Sequence, residues 1–437
     1  MTGTTVLTVL LIGGQFVPSA YAAGGSGGLD PAFSSDGRAT VDFGRHTTGE
    51  EARDVVIKAN GKVVTAGVVT TASTSRFAVS RLKANGTPDR SFSADGKRTT
   101  GFRGAAAANR VIDLAAGKLL VAGVAGDQFA LARYLANGDL DPTFGGGDGK
   151  VRTDITAGYD AVQDIRVNGD GTILAAGCAG GTLSSSPDRE CPGGFATVRY
   201  LPDGSLDASF GVAGIVSTTG TVPGSGTVPH TIHDVRLQPD GKLVVAGEIG
   251  QTETRSFLIG RYDVDGAPDT SFDTDGWATI AEDGEDWVAL TLLVQPNGKV
   301  LAGGYAFLGD YEYFALARLN SDGSPDLSLG GDGTVQNLVG NTFYAKAYAL
   351  TRQQDGKIIA AGWTIDYADR FAISRYRPCG CLDKTFGGGD GMIRTRFDKT
   401  SGAHAYAVAV RGGKVVVAGT VSSPSTEKFA IARYRAR

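Results

Sequence analysis

HDVRLQPDGKLVVAG, residues 233–247, decides the fold because the chain keeps returning to it. Its second half comes back as GKVVTAG at 61–67, GKLLVAG at 117–123, GTILAAG at 171–177, GKVLAGG at 298–304, GKIIAAG at 356–362 and GKVVVAG at 413–419. Two β-rich runs flank a short corner, usually Asp-Gly or Asn-Gly, where one residue must take positive φ, so each copy reads as a hairpin. A repeat running through 437 residues outweighs the length rule that would split such a chain into two or three domains.

Working outward, every hairpin is followed by an alternating strand: RFAVSRL from 76, QFALARY from 128, GFATVRY from 194, SFLIGRY from 256, YFALARL from 313, RFAISRY from 370 and KFAIARY from 428. It is apolar on both faces, the pattern of a strand sandwiched between two sheets. Then comes a corner: LDPAF from 29, PDRSF from 88, LDPTF from 140, LDASF from 206, PDTSF from 268, PDLSL from 325 and LDKTF from 382, each leading into a short β run. From the strand Phe to the last residue of the corner the interval is always 15, whereas hairpins follow one another at 56, 54, 70, 57, 58 and 57 residues. The first block is rigid, and the drift marks loops.

Four β segments per unit and no helical periodicity give the fold class: all-β, a seven-bladed β-propeller of four-stranded antiparallel blades. We label the hairpin strands A and B, the alternating strand C and the run after the corner D. The repeat begins at a corner and D strand (29–43) and ends on a C strand at Tyr434. The N-terminal strand is therefore expected to complete the C-terminal blade, closing the ring and hiding two sheet edges.

Arg and Asp recur eight apart: Arg81 and Asp89, Arg133 and Asp141, Arg199 and Asp207, Arg261 and Asp269, Arg318 and Asp326, Arg375 and Asp383. Ring closure would pair the two left over, Arg433 and Asp30. A sevenfold Arg could be an anion site; we read a structural ion pair pinning the C-to-D corner, because a buried Arg needs a carboxylate in every copy. The LDxxFG corner, the DGKxxxAG hairpin and the FAxxRY strand together resemble the delta-60 repeat family of bacterial exported proteins. The resemblance covers residues 29–434 and implies a propeller without a settled activity. Leu329 in place of Phe, Thr172 in place of the hairpin Lys and short turns near Gly117 and Gly413 depart from it.

Residues 1–23 carry VLTVLLIG followed by PSAYAA, read as a signal peptide cleaved near Ala22 or Ala23, although no Lys or Arg precedes the apolar run. GGSGG at 24–28 reads as a linker and 29–437 as the propeller; secretion or cell-surface location is expected. The net charge of -4 offers no drive toward nucleic acid, no later segment is long enough for a membrane span, and a monomer is expected. Cys178 and Cys191 bracket an insertion between neighbouring strands and are expected to form a disulfide, worth about 3 kcal/mol by loop closure. Cys379 and Cys381 could form a strained ring, stay reduced or bind metal.

For chemistry, the two longest departures, 178–191 and 217–234, fall on the face shared by the B-to-C and D-to-A connections and should lie near each other. Asp54, Asp164 and Asp234 occupy equivalent positions near the start of strand A, where they should border the channel, either as metal or general-base carboxylates or as caps for backbone amides. His230 and His233 stand beside Asp234 on the second long loop, a thin ligand set for a metal. FDTDG from 272 and GGGDG from 387 suggest turns more than calcium loops, leaving calcium as the one cofactor open; otherwise none is expected. No nucleophile elbow, zincin helix, P-loop or dinucleotide fingerprint is present. The expected function is an exported, non-catalytic binding scaffold for protein or glycan ligands; the alternatives are a channel-centred metal-dependent hydrolase or lactonase-like enzyme, and a spacer without a ligand.

Overall fold

The computed structural model describes residues 27–436 except 45, 181–190, 192–193, 219–221, 223–227, 229, 283, 341–342, 366–367, 400 and 424–425. The expected signal peptide, most of the GGSGG run and the tip of the Cys178–Cys191 insertion lie outside the described residues.

Seven four-stranded antiparallel sheets stand in a ring, and no α-helix occurs among the described residues. The A strands are Thr47–Ile57, Ala106–Asp113, Ala161–Val167, His230–Leu237, Asp286–Val294, Tyr344–Arg352 and Gly402–Arg411, which number blades 1 to 7. Six blades are continuous in sequence; blade 7 takes its D strand, Arg38–Val41, from the front of the chain, paired with Thr426–Arg435. Asp30 meets Arg433 at 2.9 Å, so the expected closure holds. The pairing begins before residue 29: the Gly27 amide donates to the Arg435 carbonyl at 2.6 Å and the Arg435 amide to the Gly28 carbonyl at 3.0 Å.

The core is seven inter-blade layers, which explains the doubly apolar C strand. In blade 4, Phe257 and Ile259 pack toward blade 5 with the fully buried Trp287, while Leu258 on the opposite face packs toward blade 3. Each fully buried Phe or Leu contributes roughly 2 kcal/mol of transfer free energy. The Tyr of the RY pair is anchored by its hydroxyl: Tyr134 donates to Thr100 at 2.7 Å, Tyr200 to Thr153 at 2.8 Å and Tyr434 to Thr395 at 2.7 Å, each Thr closing the D strand of the preceding blade.

The corner locks each blade to the next. Arg81 Nε donates to Asp89 at 2.6 Å, its guanidinium lies 4.7 Å from the Phe92 ring, and Nη1 reaches the Ala136 carbonyl of blade 2 at 2.8 Å. Arg133, Arg261, Arg318, Arg375 and Arg433 likewise reach a carbonyl of the following blade, at Pro202, Ser321, Pro378, Ala436 and Ala84. Arg199 meets Asp207 at 2.7 Å. The hairpin Lys joins the same carboxylate: Lys62, Lys118, Lys242, Lys299, Lys357 and Lys414 stand 2.7–3.4 Å from Asp89, Asp141, Asp269, Asp326, Asp383 and Asp30. Blade 3, with Thr172 at that position, has no such Lys.

One device repeated in all seven A strands shapes the channel. The A–B register slips by one residue in every blade, leaving Arg53, Asn109, Gln163, His233, Leu290, Tyr348 and Tyr406 as bulges. The slip drives a carbonyl of strand A toward the Gly that ends each hairpin unit: a Cβ on Gly247 would lie 1.8 Å from the Thr231 carbonyl oxygen. The same collision, at 1.8–2.0 Å, recurs at Gly67, Gly123, Gly177, Gly304, Gly362 and Gly419. This last position of the AAG or VAG run is glycine because a backbone oxygen occupies the side-chain space.

Candidate functional site

The bulge residues of blades 2–7 line the central channel, which holds a cavity of about 90 Å³ bordered by Asp54, Arg110, Asp234, Thr291, Tyr348 and Tyr406 among others. Blades 1–4 present a charged wall. Asp54, Arg110, Asp164 and Asp234 are equivalent in register, each following the bulge. The Arg110 guanidinium lies 4.0 Å from Asp54, 3.6 Å from Asp164 and 3.8 Å from Asp234. Arg236 adds an ion pair to Asp234 at 2.8 Å. The outer oxygens hold the ring together: Asp54 accepts from the Val111 amide at 2.8 Å, Asp164 from Leu237 at 3.0 Å and Asp234 from Leu292 at 2.8 Å.

Burial raises the Asp164 carboxyl despite the Arg110 charge, and pushes Asp234 up to about 7. Burial opposes the Arg110 charge, but Asp54, Asp234 and Asp164 raise its pKa above the ordinary value. The guanidinium therefore stands where a metal ion shared by these carboxylates would have to be. No group of three or more His, Cys, Asp or Glu is placed to hold a metal among the described residues.

His230 and His233 sit on strand A of blade 4, not on the long loop as the sequence suggested, because the strand starts at His230 and runs through the bulge. His233 is buried with Nε2 at 2.5 Å from Glu248 on strand B. His230 Nδ1 lies 3.5 Å from the Val228 carbonyl. In FDTDG and GGGDG, Asp275 and Asp390 accept the amides of Trp277 and Met392 at 2.9 Å, the geometry of a turn. Cys178 and Cys191 form the expected disulfide, their Cα atoms 5.1 Å apart, and the Gln163 amide donates to both sulfurs at 3.2 Å. The Cys191 amide bonds the Ile232 carbonyl at 2.8 Å, which brings the base of the first long insertion against the end of the second.

Blades 5–7 present an aromatic wall that the sequence reading missed. Tyr348 and Tyr406 meet edge to face at 5.6 Å inside the channel, and Trp363 stacks on His404 at 4.8 Å, with His404 Nε2 2.7 Å from Asp369. Toward the B-to-C and D-to-A connections, Lys346 Nζ lies 4.2 Å from the Tyr305 ring centroid. On that loop face Tyr311 and Phe343 stack at 5.3 Å and 14°, both exposed (40% and 54%), beside exposed Leu308 and Tyr344. Part of the signal was available: aligning the A strands on their hairpin Gly puts Tyr348 in the place of His233, whereas Tyr406 falls one residue off because the turn before Gly413 is one residue shorter, and only the strand pairing brings it into register.

Ring and site together define a β-propeller repeat protein. A family model described as a domain of unknown function (DUF5122) beta-propeller matches six stretches, 58–92, 117–144, 192–210, 238–272, 295–329 and 353–386. No curated protein matches the chain. Among solved structures, a protein of unknown function from Dyadobacter fermentans is 15% identical with a TM-score of 0.42, covering 92% of this chain and 100% of its own. A PL25 ulvan lyase bound to a saccharide is 10% identical with a TM-score of 0.49, covering 91% and 96%. Drosophila plexin A, in complex with semaphorin 1b, is 8% identical with a TM-score of 0.43, covering 94% and 88%. Likenesses this distant carry no argument about activity. No helix among the described residues is long and apolar enough to cross a membrane.

Proposed function

We propose that the chain is an exported, non-catalytic propeller of the delta-60 repeat type, binding a glycan or protein ligand at or outside the cell surface through the loop face of blades 5 and 6. The observation that carries this is the exposed Tyr311–Phe343 stack with Leu308 and Tyr344 beside it. Contiguous exposed apolar surface on a polar molecule marks an interaction site, and flat aromatic faces suit the apolar faces of sugar rings. The channel itself is too small for such a ligand: its cavity of about 90 Å³ falls well short of the roughly 300 Å³ at which ligand pockets begin.

One observation favours the channel-centred enzyme instead. A carboxyl titrating near neutrality in a cleft, as Asp234 does, is a signature of general acid–base sites. Against it, both oxygens of Asp234 are already engaged, by the Leu292 and Val235 amides and by Arg236.

The test is retention on insoluble polysaccharides (cellulose, chitin, xylan) and a pull-down from a secretome, comparing wild type with Tyr311→Ala/Phe343→Ala. Retention or capture weakened by roughly 30-fold, the cost of losing a binding hot spot, supports the reading. Unchanged retention overturns it, as does metal-stimulated ester hydrolysis lost in Asp164→Ala and Asp234→Ala.

A further inference from the structure

Between strand C and the corner, each of blades 1–6 makes the same turn, so the chain supplies its own comparison for an unusual one. In five blades the turn reads Asn85-Gly86-Thr87, Asn137-Gly138-Asp139, Asp203-Gly204-Ser205, Asp265-Gly266-Ala267 and Asp322-Gly323-Ser324; in blade 6 it reads Cys379-Gly380-Cys381. The backbone is unchanged. Gly380 has φ +83°, against +83° to +89° in the other five. The Gly380 amide bonds the Arg377 carbonyl at 2.9 Å and the Arg377 amide the Cys381 carbonyl at 2.8 Å, as Gly204, Leu201 and Ser205 do in blade 3 at 2.9 and 2.8 Å.

This turn presses the side chains either side of the Gly together. Asn85 Oδ1 and Thr87 Oγ1 are 2.8 Å apart, Asp203 Oδ1 and Ser205 Oγ 2.7 Å, and Asp322 Oδ1 and Ser324 Oγ 2.6 Å. Elsewhere the first residue also accepts the amide two residues on, for example Asp203 from Ser205 at 2.9 Å. Blade 6 forgoes that carboxylate or amide acceptor, and two exposed sulfurs take the place of the oxygens, 2.7 Å apart.

We propose that Cys379 and Cys381 are a thiol–disulfide exchange site, a dithiol pre-positioned by the propeller turn that reduces low-molecular-weight disulfides and is itself oxidised to an internal disulfide. Cys379 is the attacking thiol. The hydrogen bond shared with the Cys381 thiol, then the Cys381 amide and the Arg377 charge, hold it below the ordinary thiol range, while the same contact raises Cys381. Attack of the Cys379 thiolate on R–S–S–R forms a mixed disulfide and releases one thiolate, which takes up a proton. Cys381, deprotonated, then attacks the Cys379 sulfur, forms the Cys379–Cys381 bond and releases the second thiolate. Two electrons and two protons leave the dithiol and appear in two molecules of R–SH. The ring so closed contains a single residue between its cysteines, and strained exposed disulfides are the more oxidising ones, so the oxidation is driven by excess disulfide and reverses when thiol is in excess.

The test uses the full chain, reduced, incubated with oxidised glutathione, quenched with an alkylating reagent and read by mass spectrometry of the peptide holding residues 379–381. Both alkylation sites are expected to disappear together in wild type. Cys381→Ser is expected to trap glutathione on Cys379 faster than Cys379→Ser traps it on Cys381, because the amide of residue 381 still favours the Cys379 thiolate when the shared thiol contact is gone. Cys379→Asp/Cys381→Ser restores the Asp-Gly-Ser turn of blade 3 and is expected to fold while consuming no glutathione disulfide. Equal trapping in the two single variants, loss of alkylation one site at a time, or a stoichiometric soft metal ion protecting both thiols in the protein as isolated overturns the proposal.

Discussion

An added methyl on Gly304 would lie 2.0 Å from the Val288 carbonyl oxygen, whereas on its neighbour Gly303 the nearest atoms, at 2.9 and 3.1 Å, are the tips of Leu350 and Leu316. Side-chain tips can turn aside and a strand carbonyl cannot. Gly304→Ala is therefore expected to cost roughly 2 kcal/mol or more and Gly303→Ala distinctly less, read from denaturant midpoints. The sequence shows that a Gly ends every hairpin unit but not why, since the bulge opposite it exists only once strand A is paired. Asp234 is the other informative residue. Its folded pKa of about 7 lies above the value near 4 of an unfolded Asp, so the folded state holds a proton that the unfolded chain has released. The stability this group contributes is present below about pH 4 and is lost as pH rises to about 7. Unfolding midpoints between pH 4.5 and 8 should fall in wild type and fall less in Asp234→Asn.

At the scale of the element, the C-to-D corner is one carboxylate shared by two cations over an aromatic ring. The spacing of eight exposes the Arg–Asp half of it in the sequence; the Lys half is hidden, because the A–B hairpin reaches the corner only in three dimensions. Asp326→Ala leaves both Arg318 and Lys299 without their partner and should cost about 3 kcal/mol, as removing one side of a buried pair does. In blade 3, Thr172→Lys should raise the thermal midpoint slightly, and the gain should vanish in an Asp207→Asn background. Despite burial, the neighbouring Thr385, Arg375 and Lys357 hold Asp383 down to about 2. A lowered pKa contributes stability above about pH 4 that is lost as pH falls toward 2, so acid should weaken the corners while a rise toward neutral pH weakens the Asp234 wall.

Over the whole molecule, the repeat made the ring, the blade count and the closure readable, because each is a consequence of periodicity. The site was half readable. Asp54, Asp164 and Asp234 stood out as charges, but Arg110, the cation they enclose, did not, and the Tyr348 and Tyr406 wall passes for ordinary core until seven strands are laid on one register. Nor does sequence reveal that the loop face of blades 5 and 6 leaves Tyr311 and Phe343 exposed. All of this geometry depends on the front of the chain serving as the outer strand of the last blade. The most direct measurement is a calorimetric titration of a chain lacking residues 1–43 with a synthetic peptide of residues 27–43. The account predicts that the shortened chain melts at a lower temperature and self-associates through the bared edge of Thr426–Arg435, and that the peptide binds one to one and restores the melting temperature. A shortened chain that stays monomeric, melts with the full-length protein and ignores the peptide would contradict it.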